Sequence, residues 1–125
     1  MNDKELADKV VALGVGSLLP AKNKYGVHVR SYPWYEINDD EFVSGSTAKS
    51  AKQFVRDWRV AGSLMEKVDW AGANIDIEKW STGYEVAIDG SIYREDESLP
   101  RAIIAACTEA LVESKCLRIK RSGLN

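Results

Sequence analysis

Hydrophobic positions follow two periods along this chain. Between Asp3 and Leu13, Leu6, Val10 and Leu13 stand four and three apart with Ala7 beside them, the spacing of one helical face. Asn2 or Asp3 can cap this helix. Acidic side chains in its first turn suit the positive end of the helix dipole, and Gly14 and Gly16 end it. A second helix starts at Asp57 as N-cap and runs through Trp58, Ala61, Leu64, Met65 and Val68. Ala51–Val55 adds a turn to it or forms a short helix of its own. Gly62 costs this helix about 1 kcal/mol relative to alanine and predicts close packing against another element. A third helix is marked by Ser98 as cap and Pro100 in its first turn. Its apolar face runs through Ile103, Ile104, Cys107, Ala110 and Leu111 and should fade near Ser114.

The other period is two. Tyr25, Val27 and Val29 alternate with Gly26, His28 and Arg30, which predicts a half-buried strand. Pro33 interrupts it, and Trp34, Tyr35 and Ile37 resume a second short strand. Asn38–Glu41 reads as a turn, and Phe42–Ser50 as loop. Farther on, Ile75 and Ile77 alternate with Asp76 and Glu78. After a turn at Ser81-Thr82-Gly83, Tyr84, Val86 and Ile88 alternate with Glu85, Ala87 and Asp89. Asp89-Gly90 is a strong turn signal, and Arg94–Glu97 reads as a charged loop. Half-buried strands need one face covered, and amphipathic helices can cover it. The expected fold is α+β: a small antiparallel β-sheet packed with about three α-helices in a layered α/β/α sandwich. It forms a single domain over residues 1–114, followed by a mobile tail over 115–125.

Charge sharpens that division. The four charged residues after Ser114 are all basic (Lys115, Arg118, Lys120 and Arg121), which leaves residues 1–114 with 13 basic and 19 acidic side chains, a net of −6. An acidic body is a poor match to nucleic acid, where affinity draws on Lys and Arg against phosphate. No apolar stretch approaches the roughly 20 residues that span a bilayer, and Met1–Lys9 carries no secretory signal. The expectation is therefore a soluble cytoplasmic chain with no nucleic-acid or membrane partner.

Candidate chemistry is sparse. Nucleophilic catalysis usually pairs a Ser or Cys with a His, and the one histidine, His28, lies in a predicted strand. One His with Cys107 and Cys116 cannot make an ordinary structural zinc site. Val43–Ser50 lacks the glycines of a phosphate-binding loop, and Gly14-Val15-Gly16 follows a helix rather than a strand. Asp76 and Glu78 should point the same way from one strand, with Glu85 across the hairpin. An outward strand face does not separate two carboxyl pKa values as acid–base catalysis requires. No catalytic residue, metal site or cofactor is expected.

Three blocks, DKELADKVVALGVG, DWRVAGSLMEKV and SLPRAIIAACTEALVE, resemble in this order the bacteriophage proteins grouped as the phage ABA sandwich domain. The resemblance spans Asp3 to Glu113, with Arg59 and Glu66 as the matching polar positions of the central block. It implies a helix–sheet–helix arrangement, a phage source and a working place in the host bacterial cytoplasm. It implies no activity. Val27–Ser50 is longer than the family pattern, and loops of that kind often carry individual function.

The aromatics are the better candidates for a site. Tyr32, Trp34 and Tyr35 flank Pro33, with Arg30 before them and Asp39, Asp40 and Glu41 after. Tyr and Trp offer large rigid contact surfaces with a polar handle, so this group reads equally as a binding patch or as core. Trp58, Trp70 and Trp80 are core or rim. The leading expectation is a non-enzymatic phage protein that inhibits or modulates a host defence or regulatory protein through Arg30, Tyr32, Trp34, Tyr35, Asp39, Asp40, Glu41 and Arg59. The alternative is a sponge for a small nucleotide signal, held by Arg30, Arg59 or Arg94 against an aromatic platform. A further alternative is an accessory phage protein with only a structural role. Self-assembly stays open in each.

Overall fold

The computed structural model describes residues 1–20, 22, 25–28, 33–37 and 48–122, with side chains up to residue 113. In chain order these form α1 (Asp3–Ala12), β1 (Ser17–Leu18), β2 (Trp34–Glu36), β3 (Ala48–Ser50), α2 (Ala51–Phe54), α3 (Trp58–Trp70), β4 (Ile75–Trp80), β5 (Gly83–Ile88), β6 (Ile92–Asp96) and α4 (Leu99–Ser122). The fold is α+β. The strands divide between two antiparallel sheets in the orders β1-β2-β3 and β4-β5-β6.

The helix ends follow their local chemistry. The Asn2 side chain accepts from the Glu5 N–H at 2.8 Å and so caps α1. Asp57 caps α3 by accepting from the Arg59 N–H at 2.8 Å. Ser50 and Gln53 exchange side-chain and backbone hydrogen bonds, a capping box that makes α2 a separate short helix. Ser98 precedes α4, and its carbonyl accepts the Ala102 N–H at 3.0 Å. The backbone of α4 continues past the expected fade at Ser114 as far as Ser122.

One core joins these elements. Leu6 and Val10 of α1, Phe54 of α2, Val60, Leu64 and Val68 of α3, Val86 and Ile88 of β5, and Ile103, Ile104 and Cys107 of α4 are all buried. α4 lies across β5 and β6 on one side and packs against α3 on the other, while β4 is largely uncovered. Arg101 of α4 ties the ends together: its guanidinium donates to Asp3 at 2.8 Å, to Asp96 at 2.8 Å and to the Met1 carbonyl at 2.9 Å. Arg56 reaches the other oxygen of Asp3 at 3.0 Å.

Several expectations change. Phe42–Ser50 is not all loop: Ala48–Ser50 is β3, paired antiparallel with β2. Tyr25–His28 is not a strand: Gly26 takes φ +78°, the chain reverses, and only an isolated bridge pairs Lys22 with His28. Val29 and Arg30 lie outside the described residues. Arg94–Glu97 is not a loop: Ile92–Asp96 is β6, because both of its inward charges have a partner on α4, Arg94 with Glu109 and Asp96 with Arg101. Gly62 is exposed, and a Cβ there would meet nothing within 4 Å, so close packing is not its reason. Tyr35 proves to be core, as described next.

Candidate functional site

Tyr35 sits at the centre of β2 with its side chain fully buried. Its ring stacks on Phe54 at 5.1 Å between centroids, and its hydroxyl donates to Asp8 Oδ1 at 2.7 Å. Desolvation first, then that hydrogen bond and the Asp8 charge, raise the phenol pKa above its usual value. A buried, satisfied tyrosine packs and does not bind, so Tyr35 leaves the set of partner contacts. Trp34 points the other way along the strand and is half-buried. It lines a groove of about 550 Å³ with Asn2, Lys4, Pro33 and Lys52 among its neighbours. Arg59 is an exposed residue of α3 whose Nε lies 3.4 Å from Asp57. Arg30, Tyr32, Asp39, Asp40 and Glu41 lie outside the described residues. Among the described residues, none of the expected ones come together beyond the neighbours Trp34 and Tyr35, which diverge.

Organised surface chemistry lies instead on the β4-β5-β6 sheet. The register sets Asp76 opposite Ala87 and Ala87 opposite Tyr93. It sets Glu78 opposite Glu85 and Glu85 opposite Glu95, and it sets Trp80 opposite Gly83. Residues directly opposed in an antiparallel sheet share a face. The outer face thus carries Asp76, Glu78, Glu85 and Glu95 with Trp80 and Tyr93, and no cation. The alternate face carries Ile75, Ile77, Val86, Ile88 and Ile92, and both cations of these strands: Lys79, and Arg94 paired with Glu109.

Three glutamates in one row repel one another. Glu85, in the middle, feels this most. Partial desolvation, its hydrogen bond to Glu95 and the charges of Glu95 and Glu78 together raise its carboxyl pKa above the usual range. The row is flanked by aromatics: Trp80 is 50% exposed and Tyr93 51% exposed. At the Trp80 end the face opens into a recess of about 330 Å³ lined by Trp80, Gly83, Glu95 and Glu97. Gly83 keeps that end low, because a Cβ there would lie 2.5 Å from the Asp96 carbonyl oxygen. An indole wall beside carboxylates is the chemistry that receives a cationic side chain.

β4 and β6 are the two edge strands of this sheet, and β4 is the one that α4 does not cross. Ser81-Thr82 closes a two-residue hairpin, and the Asp89 N–H donates to the Asn74 carbonyl at 2.9 Å. Hydrogen-bonded pairs alternate from there, so even-numbered residues of β4 face β5, while Ile75, Ile77 and Lys79 turn their N–H and C=O outward. Ile77 is 45% exposed.

Cys107 is buried, and desolvation pushes its thiol up to about 12, away from thiolate chemistry. Among the described residues no three His, Cys, Asp or Glu side chains are arranged to hold a metal ion. Among them, too, no helix is long and apolar enough to cross a membrane.

Comparison with known proteins adds no relative: no family model, curated protein or solved structure matches this chain. Sequence reasoning found Asp76, Glu78 and Glu85 on one face. It missed Glu95 and Tyr93, because β6 did not read as a strand, and left Trp80 as core or rim. Tyr93 and Glu95 at a spacing of two, straight after the Asp89-Gly90 turn, were the available signal.

Proposed function

We propose that this chain is a non-enzymatic protein-binding domain that engages its partner through the outer face of β4-β5-β6. The observation that carries the reading is the sorting of charge by strand parity: every outward charge of these strands is a carboxylate, and both cations point to the other side. Aromatic side chains beside that row supply the large, rigid contacts that anchor interfaces. An acidic face with exposed tryptophan selects a basic protein surface and repels nucleic acid. Together with the phage resemblance of the three helical blocks, the partner becomes a host bacterial protein that the chain inhibits or modulates in the host cytoplasm.

The nucleotide-sponge alternative draws less support. Arg94 and Arg59, two of its three arginines, lie against Glu109 and Asp57. In its best location, the Trp34 groove, Lys4 is bound to Asp8 at 3.0 Å.

Affinity capture from bacterial lysate tests the proposal. Wild type and Trp34→Ala should retain the same host protein, and a Trp80→Ala/Tyr93→Ala double variant should lose it. Loss with Trp34→Ala and retention with the double variant overturns the assignment to the sheet.

A further inference from the structure

We infer that β4 takes up an added antiparallel strand from the partner, an extended segment alternating basic and apolar residues. The inference rests on the protein-binding reading and specifies how the partner docks. Three features converge on β4. Its outward N–H and C=O groups at Ile75, Ile77 and Lys79 have no hydrogen-bond partner among the described residues, and a row of unpaired backbone groups is a template for strand addition. Unlike β6, which α4 crosses, it is largely uncovered. Its side chains also define what fits alongside.

The register fixes the pattern of the added strand. Residues opposite Ile75 and Ile77 continue the apolar row and are themselves apolar. Residues opposite Asp76 and Glu78 lie on the carboxylate face and are Lys or Arg. A residue opposite Trp80 falls beside the indole and the recess with Glu95 and Glu97, which again favours a cation.

A second copy of this chain is the wrong occupant. Antiparallel pairing of β4 with itself must keep like faces together, so residues of equal parity meet. Centred on Ile77, this sets Asp76 against Glu78 twice; centred on Glu78, it sets that glutamate against itself. Like charges directly opposed destabilise such a pair.

The test uses the full chain, labelled with nitrogen-15, titrated with the blocked hexapeptide Lys-Val-Lys-Val-Lys-Val. Laid antiparallel, its valines face Ile75, Ile77 and Lys79, and its lysines face Asp76, Glu78 and Trp80. The expected result is amide shifts centred on residues 75–80. Affinity should fall at least tenfold when the valines are N-methylated, which removes the ladder donors. N-methylated lysines, whose N–H groups point away from β4, should leave it nearly intact. Ile77→Pro, which deletes one outward donor without touching the β5 ladder, should weaken binding similarly. Equal binding of both methylated peptides, with shifts on the glutamate row, overturns strand addition and leaves the protein-binding face standing. Absence of peptide binding overturns the inference, as does concentration-dependent dimerisation in sedimentation that the peptide does not displace.

Discussion

Glu85 stands directly opposite Glu95 in the register of β5 and β6, and the two share a hydrogen bond while Glu78 repels Glu85 from the other side. Such an arrangement works against the fold wherever the three carboxyls are ionised.

Glu85→Gln should raise the thermal midpoint at neutral pH. The sign follows from linkage. A carboxyl whose folded pKa is raised contributes stability in its protonated form at low pH, and that contribution is lost as pH rises through the raised value. Wild type should therefore gain less from rising pH than Glu85→Gln does. Thermal unfolding of both proteins from pH 4 to 8 checks this; parallel curves contradict it.

Asp3 works in the opposite direction. Desolvation acts to raise its carboxyl pKa, but the hydrogen bonds and charges of Arg101 and Arg56 outweigh it and hold the group below its ordinary value. Its contribution is present above the ordinary carboxylate pKa and lost as pH falls through the lowered one. Arg101→Ala strips the cation shared by Asp3 and Asp96 and should cost about 2–4 kcal/mol in urea unfolding at pH 7, with a smaller cost in acid.

Tyr35→Phe keeps the stack on Phe54 and removes the bond to Asp8. It should cost about 0.5–1.5 kcal/mol and leave partner capture unchanged. Tyr35→Ala should cost about 3–5 kcal/mol by emptying the core. A Tyr35→Phe protein that folds as wild type but loses its partner would return this residue to the binding surface.

Gly62→Ala should stabilise the chain by about 1 kcal/mol, since the glycine is exposed inside α3 with open space around it. Urea midpoints of the two proteins measure it directly.

These residues also show what could be read from the sequence. The three amphipathic faces, the Asn2, Asp57 and Ser98 caps and the β4–β5 hairpin are local patterns, set within a few residues of one another, and were legible. So were Asp76, Glu78 and Glu85 as one outward set. Tyr35 was not, because its fate is decided by Asp8, 27 positions away, and by Phe54 from another element. β6 was hidden because Arg94 and Asp96 look like loop residues until α4 supplies Glu109 and Arg101. With β6 unseen, Glu95 and Tyr93 had no face to belong to.

The most direct measurement is hydrogen–deuterium exchange of the full chain with and without its captured partner. Partner binding through the outer sheet predicts protection concentrated in 75–80 and 92–96, with the Trp34 groove unchanged. Protection confined to α1, Trp34 and α2, with none in the β4-β5-β6 sheet, would contradict the account.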